Sequence, residues 1–524
     1  MSLKTLLREM ILREDQFFRE LDSCTYWLTR VFFLRLLGFI YFIAFFSLTR
    51  QLGPLIGADG LLPAHLYLER MAALYEAGWE AILAVPTLLW LDCADWAMYA
   101  LAYMGAAAAL ALLAGYTSAL LLALLWALYL SLYHVGQIFY GYGWEILLLE
   151  TGFLAIFLCP WGRGPLLLAT APPPRAVIWL LRWVLFRVMF GAGLIKVRGD
   201  SCWLDLTCMI FHYETQPMPN PFSWYLHQLP AVVHRGGALF THFVELVVPW
   251  FVFGPRRVRR LAGVLLAAFQ LLLIVSGNLS WLNWLTLVLC ISCFDDEVLE
   301  RLCPRRLAQR WKAVVQAEAE EALLRKGVIY GLTLVVILLS VSPVINMISP
   351  AQVMNRSFGS LHLVNSYGAF GHVGRERFEV VLQGTYDEVL DAATQWREYE
   401  FKCKPGDVRR RPCLVSPYHY RLDWQIWFAA MSDYAQHPWL VHLVYKLLQD
   451  NEGALSLLDH SPFEAGPPRY IRAELYRYEF TRIGDGSDAW WKRVWVRSYL
   501  PPLALDNRAL LGVMESFGWP RAGD

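Results

Sequence analysis

The sequence predicts a mostly α-helical polytopic membrane protein, with about nine transmembrane helices and a C-terminal extracytoplasmic α+β domain. Three observations carry this. Of 524 residues, 57% are hydrophobic and only 17% charged, mean hydropathy is positive, and long apolar runs recur, which is not the composition of a soluble single domain. Runs of spanning character end near residue 348. Beyond residue 355 the composition becomes that of a soluble domain of ordinary size.

The elements follow in order. Residues 1–30 begin MSLKTLLREMILRED, amphipathic and charged, without the apolar core and small-residue cleavage site of a signal peptide. They read as a cytoplasmic N-terminus, and the first span is expected to anchor and orient the chain. Spans are expected near residues 31–48, 96–114, 118–138, 146–159, 176–196, 238–253, 261–275, 281–294 and 327–347, within a transmembrane domain of residues 31–348. Glu76, Glu80 and Pro86 break the apolar core of residues 71–92, which read as interfacial or re-entrant. Basic side chains collect at Lys4, Arg8, Arg13, Arg19 and Arg30, at 256–260 and at 301–326. Nine crossings place all three groups on the cytoplasmic side, and counting 71–92 as a span would invert that parity. An outer loop, 197–236, and the domain of residues 355–524 then lie on the opposite side. With 46 basic against 45 acidic residues and no single basic face, a nucleic-acid partner is excluded.

The C-terminal segment shows strand alternation at Tyr399, Phe401 and Cys403, and again at Trp491, Arg493, Trp495, Arg497 and Tyr499. Helical stretches at 423–433 and 438–448 lie between. Of ten cysteines, Cys202 and Cys208 in the outer loop and Cys403 and Cys413 in the outer domain are candidates for two disulfides, with free buried thiols as the alternative. Cys290 and Cys293 form a CxxC inside an apolar helix, where packing is the simpler role than redox or metal chemistry.

The densest functional signal lies between residues 182 and 225. A hydrophobic helix carrying Arg187 and Lys196 runs into a polar, proline-punctuated stretch. A basic side chain inside a span costs about 2.5–3.5 kcal/mol and calls for a partner, for which Asp200, Asp205 and Glu214 are candidates. Glu145 and Glu150 stand at the start of an apolar helix; Glu150 is expected to be buried, with Arg182 or Arg187 as its partner and proton chemistry as the alternative. In HYETQPMPNP, Pro217, Pro219 and Pro221 hold the chain extended. Trp224, Tyr225 and His227 follow, forming either a lid over the helices or a contact surface for a partner protein. Likewise Arg421 and Asp423, beside Trp424, Trp427 and Phe428, read as an ion pair capping an amphipathic helix or as a binding surface.

Long blocks also carry a family likeness: GWEILLLETGFLAIFLCP (143–160), RWVLFRVMFGAGLIKVRGDSCWLDLT (182–207), HYETQPMPNPFSWYLHQLP (212–230), VSGNLSWLNWLTLVLC (275–290), VNSYGAFG (364–371), YEFKCKPGDVRRRPC (399–413) and YRLDWQIWFAA (420–430). The chain resembles the lipase maturation factor family over most of its length after residue 140, and before that only in general character. The resemblance implies a membrane-embedded, chaperone-like maturation factor that helps secreted proteins, lipases above all, to fold or assemble. It implies the endoplasmic reticulum membrane, or a bacterial inner membrane for a bacterial source, with the C-terminal domain lumenal or periplasmic. The expected partners are secreted clients and membrane lipid, with no cofactor and no metal. The client-binding candidates are Tyr213, Gln216, Trp224, Tyr225, Arg421, Asp423, Trp424 and Trp427.

An enzyme is the alternative. FGAGLIKVRGDSCWLD resembles, over this stretch only, the lysine-bearing helix end of vitamin K-dependent carboxylases, which would make Lys196 a desolvated base with His212 and Glu214 beside it. A lysine at a helix end also snorkels or meets the helix dipole. GxSxG, HExxH and P-loop motifs are absent, and HYE with the distant CISC lacks the proline of a deaminase zinc site. A transporter ranks third, since no internal repeat is evident. The C-terminal GWPRAGD carries no KDEL-like retrieval signal.

Overall fold

The computed structural model describes residues 3–75, 78–159, 164–165, 172–303 and 323–520. Most of the basic stretch 301–326, namely 304–322, lies outside the described residues, as do Glu76, the side chains of Lys4 and Arg19, and residues 521–524. After an amphipathic helix, Leu3–Leu21, the described residues place a helix over each of the nine expected apolar stretches, without showing that all nine cross a membrane. They are α1 (Trp27–Ile56), α2 (Asp95–Ala114), α3 (Ala119–Val135), α4 (Gly143–Leu158), α5 (Arg175–Gly199), α6 (Ala231–Phe253), α7 (Arg256–Ser276), α8 (Leu282–Cys293) and α9 (Leu323–Ile348). Among the described residues, six of them, α1, α2, α5, α6, α7 and α9, are long and apolar enough to cross a membrane. The other three are shorter. Among the described residues the 71–92 region forms no long helix but the end of Ala64–Leu74, the short Gly78–Ala84 and a 3-10 turn at Leu88–Trp90.

Local chemistry explains several helix ends and kinks. The first N–H groups of α1 are met not by a neighbour but by Asp296, whose carboxylate accepts from Trp27 and Leu28 at 3.1 and 2.7 Å, so a distant acid supplies the missing cap. Ser118 caps α3 through Leu121 N–H, at 3.0 Å. In α6 a π turn covers Phe243–Val247 and a 3-10 stretch follows. Pro249 has no N–H to offer the carbonyl four residues back, which is that of Glu245, so the regular ladder cannot continue there. Glycines let α5 approach its neighbours. A Cβ on Gly191 would lie 2.5 Å from the carbonyl oxygen of Tyr367, and one on Gly193 would lie 2.7 Å from the side chain of Leu246.

The C-terminal domain is built on an antiparallel sheet of β1 (Arg377–Thr385), β2 (Arg397–Glu398), β3 (Tyr470–Phe480) and β4 (Trp491–Leu503), in the order β2-β1-β3-β4. Two helices, α10 (Arg421–Ala429) and α11 (Pro438–Leu448), pack beside it. The helix expected at 423–433 begins earlier and ends at Ala429. The strand expected around Tyr399–Cys403 shrinks to Glu400–Phe401, paired with Leu458–His460. The alternation read into 491–499 does not hold a single face: Trp491 and Tyr499 are buried while Trp495 is 57% exposed. Register shifts between β3 and β4 interrupt the period of two.

Candidate functional site

Three buried cations stand on α5, and each is met by an acid from another part of the chain. Near one end, Arg182 pairs with Asp22 at 3.2 Å and bonds the carbonyl of Ser292 and the hydroxyl of Tyr26. Midway, Arg187 pairs with Glu150, whose other oxygen accepts from Asn365 N–H at 3.0 Å and Tyr367 O–H at 2.6 Å. At the far end, Lys196 donates to both carboxylate oxygens of Glu245 at 2.7 Å, with its ammonium 5.4 Å from the centre of the Trp203 ring. All six side chains are at most 5% exposed. Satisfying each charge in this way is what allows so basic a helix to lie inside an apolar bundle.

The partner expected for Lys196 is therefore corrected. Asp200 instead caps the following turn through Cys202 N–H and holds Arg375 at 3.0 Å. Glu214 accepts from the backbone N–H of Phe480, and His212 packs edge-on against Phe370. Lys196, His212 and Glu214 thus form no hydrogen-bonded constellation, the lysine being bonded to Glu245. The sequence signal for Glu245 was the presence of an acid within an apolar span; its partner could not be read from spacing.

A fourth pair fastens the C-terminal domain to the helices. Arg421, at the start of α10, reaches Glu145 on α4 at 2.8 Å and the carbonyl of Phe139 at 2.7 Å, both charged side chains being fully buried. Its guanidinium lies 3.7 Å from the centre of the Tyr140 ring. Gln51 on α1 accepts from Arg421 N–H and donates to the carbonyl of His419, at 2.9 and 2.7 Å. Asp423 turns the other way and accepts from the N–H groups of Cys403 and Lys404 at 2.6 and 2.9 Å. Arg421 and Asp423 are consequently not paired with each other, and with Trp424 they are buried and unavailable as surface. The amphipathic pattern of YRLDWQIWFAA had recorded the key of an interdomain lock.

The 197–236 segment is latched to the same domain. Arg377 on β1 donates to the carbonyls of Glu214, Gln216 and Pro217, so the proline stretch has its acceptors satisfied by one guanidinium. The chain bends at residues 216–218 instead of staying extended, and Pro221 occupies the first position of the helix Pro221–His227, capped by Asn220 and Ser223. Gln216 is buried, bonding Ser223 and the carbonyl of Ser276. Tyr213 is half-buried beside His234, and Trp224 packs on Trp490 and donates to Thr481. Tyr225 is 53% exposed. The structure joins Cys202 to Cys208 and Cys403 to Cys413, whereas Cys290 and Cys293 are buried free thiols.

Burial pushes the Glu214 carboxyl up to about 7, reinforced by Glu479 and opposed by the Phe480 N–H and Arg377. Between its ordinary 4.5 and about 7 the folded state binds a proton that the unfolded state lacks. The contribution of this group to stability therefore falls as pH rises through that window. Glu214→Gln is expected to raise the thermal midpoint relative to the parent chain near pH 7.5, and to lose that advantage near pH 5. Taking the difference between the two proteins removes the opposing effect of His212, lowered to about 4 mainly by burial; His227, lowered likewise, stands 4.0 Å from Glu214, so the double variant with His227→Gln is compared with His227→Gln alone to remove its share. A midpoint difference that stays constant with pH would refute the assignment.

Where helices and C-terminal domain meet, a cavity of about 410 Å³ opens. Val188, Met189 and Ala192 of α5, Phe269 and Leu273 of α7, and Trp424, Trp427 and Phe428 of α10 form much of its wall. Glu245, Gln270 and Asn283 supply polar groups. Six of the seven family-like sequence blocks contribute lining residues, from Trp144 and Pro217 to Leu282 and Phe370. Of the residues proposed for client binding, Trp424 and Trp427 lie here, the latter half-buried and donating to the carbonyl of Thr215.

Fold and site together define a multi-pass membrane protein whose C-terminal domain is keyed into its helices around an apolar cavity. The chain belongs to the lipase maturation factor family. Residues 28–301 match the lipase maturation factor transmembrane domain and residues 363–501 the lipase maturation factor C-terminal domain. The chain is 47% identical to lipase maturation factor 1 of Homo sapiens, over 96% of its length and 92% of the relative's. It is 48% identical to lipase maturation factor 1 of Mus musculus, over 95% and 91%. Identity to lipase maturation factor 2 of Mus musculus is 32%, over 93% and 84%. No solved structure gives a significant match.

Proposed function

We propose that this chain is a membrane-embedded, chaperone-like maturation factor acting on secreted lipases in the endoplasmic reticulum membrane. The observation that carries the reading is the match to proteins named lipase maturation factor, which runs through both the helical and the C-terminal parts rather than through one domain. In this reading residues 1–30 are cytoplasmic, residues 31–348 cross the membrane nine times, and the 197–236 loop and residues 355–524 face the lumen. Two features support that orientation. Both disulfides lie in the segments assigned to the oxidising side. The Arg256–Asp295 and Arg260–Asp295 pairs stand in the segments assigned to the cytoplasm.

Client contact falls to the aromatic surface that the fold leaves open, namely Tyr225 with Phe222, and Phe428 beside Trp427. Tyr225, Phe222 and Phe428 are 53%, 49% and 39% exposed, and aromatic side chains combine apolar area with low entropic cost on ordering. The test is co-expression with a secreted lipase in cells lacking an endogenous maturation factor. Secreted lipase activity per unit of lipase protein is expected to rise, and a photoreactive residue at position 225 is expected to capture the lipase. Unchanged specific activity would overturn the reading.

A further inference from the structure

We propose that the cavity between the helices and the C-terminal domain is a binding site for a neutral amphiphile, an acyl chain carrying an ester- or hydroxyl-bearing head. The inference is independent of the client reading above. A volume of about 410 Å³ falls in the range of small-molecule sites, about 300–1,000 Å³. The wall is largely apolar, and Phe428 and Met431, exposed at 39% and 56%, mark its mouth with more apolar surface.

What makes this a site rather than a packing defect is its polar content. Gln270 on α7 and Asn283 on α8 are 2% and 4% exposed and line the cavity. The carbonyl of Gln270 accepts from the Asn283 amide at 2.8 Å, while its own amide donates to the sulfur of Met189 at 3.3 Å. Thioether sulfur is a weak acceptor, and two primary amides bring four N–H donors and four lone pairs. Among the described residues the carbonyl of Asn283 has no protein partner, so donor and acceptor capacity is left over. Unspent capacity is costly in an apolar setting, and a head with both carbonyl and hydroxyl oxygens would use it.

Charge selects the head further. Glu245 also lines the cavity, but both its oxygens are bonded to Lys196. The pair is internally balanced, and the basic side chain of the lining, His372, is exposed, so an ionised head deep in the cavity would lack a counter-charge and pay its desolvation unaided. A fatty-acid anion is disfavoured on that ground, whereas a glyceryl ester fits.

The experiment uses the full chain in lipid nanodiscs with two photoreactive probes of equal chain length, a monoacylglycerol and a fatty acid. Peptide mapping is expected to place the monoacylglycerol label at Leu273, Leu282 or Met431. Labelling there is expected to exceed that by the fatty acid about tenfold, and to fall about tenfold in Ala192→Phe, which fills the cavity. Should Ala192→Phe fail to fold, the double variant Gln270→Leu with Asn283→Leu removes both amides together, a change that leaves no buried amide unpaired. It is expected to lower labelling by the monoacylglycerol about tenfold without raising that by the fatty acid, since the amides and not the charge balance have been removed. Lipid extracted from the purified chain separates sources, since either a retained diacylglycerol of the bilayer or an exchangeable monoacylglycerol satisfies the proposal, whereas a retained phospholipid would overturn it. Labels confined to Leu271 and Leu272, 50% and 57% exposed on the outer face of α7, would show annular lipid only. That result, or equal labelling of parent and filled variants, would overturn the site.

Discussion

Glu145→Ala is expected to cost about 3–5 kcal/mol, the penalty for leaving one half of a buried ion pair uncompensated. The stranded partner is Arg421, whose fully buried guanidinium keeps the carbonyl of Phe139 and the rings of Tyr140 and Trp281 but no acid. Its Nε and second terminal nitrogen already lack a hydrogen-bond partner, so no spare contact exists to absorb the lost acid. Because Arg421 keys α10 into α1 and α4, the loss should loosen the C-terminal domain before it disturbs the helices. Limited proteolysis should therefore cut the variant within residues 355–520 at protease levels the parent resists. The double variant Glu145→Met with Arg421→Met replaces both charges by apolar volume, and most of the loss should return. Thermal unfolding of the two variants in detergent measures this, and equal loss in single and double variants would show that the charge pair is not the cause.

The sequence revealed the apolar helices and the existence of unpaired charges more readily than it revealed the partners. Nine apolar stretches are visible because hydrophobic length is a local property, and α11 was readable to its ends because Pro438 marks its start. Glu145 and Glu150 were recognisable as acids needing bases. Arg421, however, lies 276 positions from Glu145, and no local rule connects them. The same limit explains why YRLDWQIWFAA was read with a binding surface as one option. Aromatic and charged residues on one short helix look alike whether they face a client or the protein's own bundle, and only tertiary contacts decide. In β4 the failure is different. Bulges shift the register against β3, so a strict period of two assigns Trp495 to a buried face that the strand does not keep. The cavity was invisible altogether, because its lining is drawn from segments spread between residues 141 and 431.

The pair on the middle of α5 should respond asymmetrically, and the asymmetry tests how its acid is held. Glu150 receives the Arg187 guanidinium but also the N–H and side-chain amide of Asn365 at 3.0 and 3.1 Å and the hydroxyl of Tyr367 at 2.6 Å. Arg187 has, besides Glu150, the carbonyl of Asn365 and the rings of Trp183 and Tyr367. Removing the arginine leaves an acid that keeps three neutral donors. Removing the acid leaves a cation that cannot neutralise itself. Glu150→Ala is therefore expected to cost about 3–5 kcal/mol, and Arg187→Met about 1–3 kcal/mol. In the double variant the two losses should not add, with a coupling of about 0.5–3 kcal/mol between neighbouring sites. Thermal unfolding of the three variants would check the order. If Arg187→Met proved the more damaging, Glu150 would owe its burial to the guanidinium alone, and the donors of the VNSYGAFG segment would contribute packing rather than charge stabilisation.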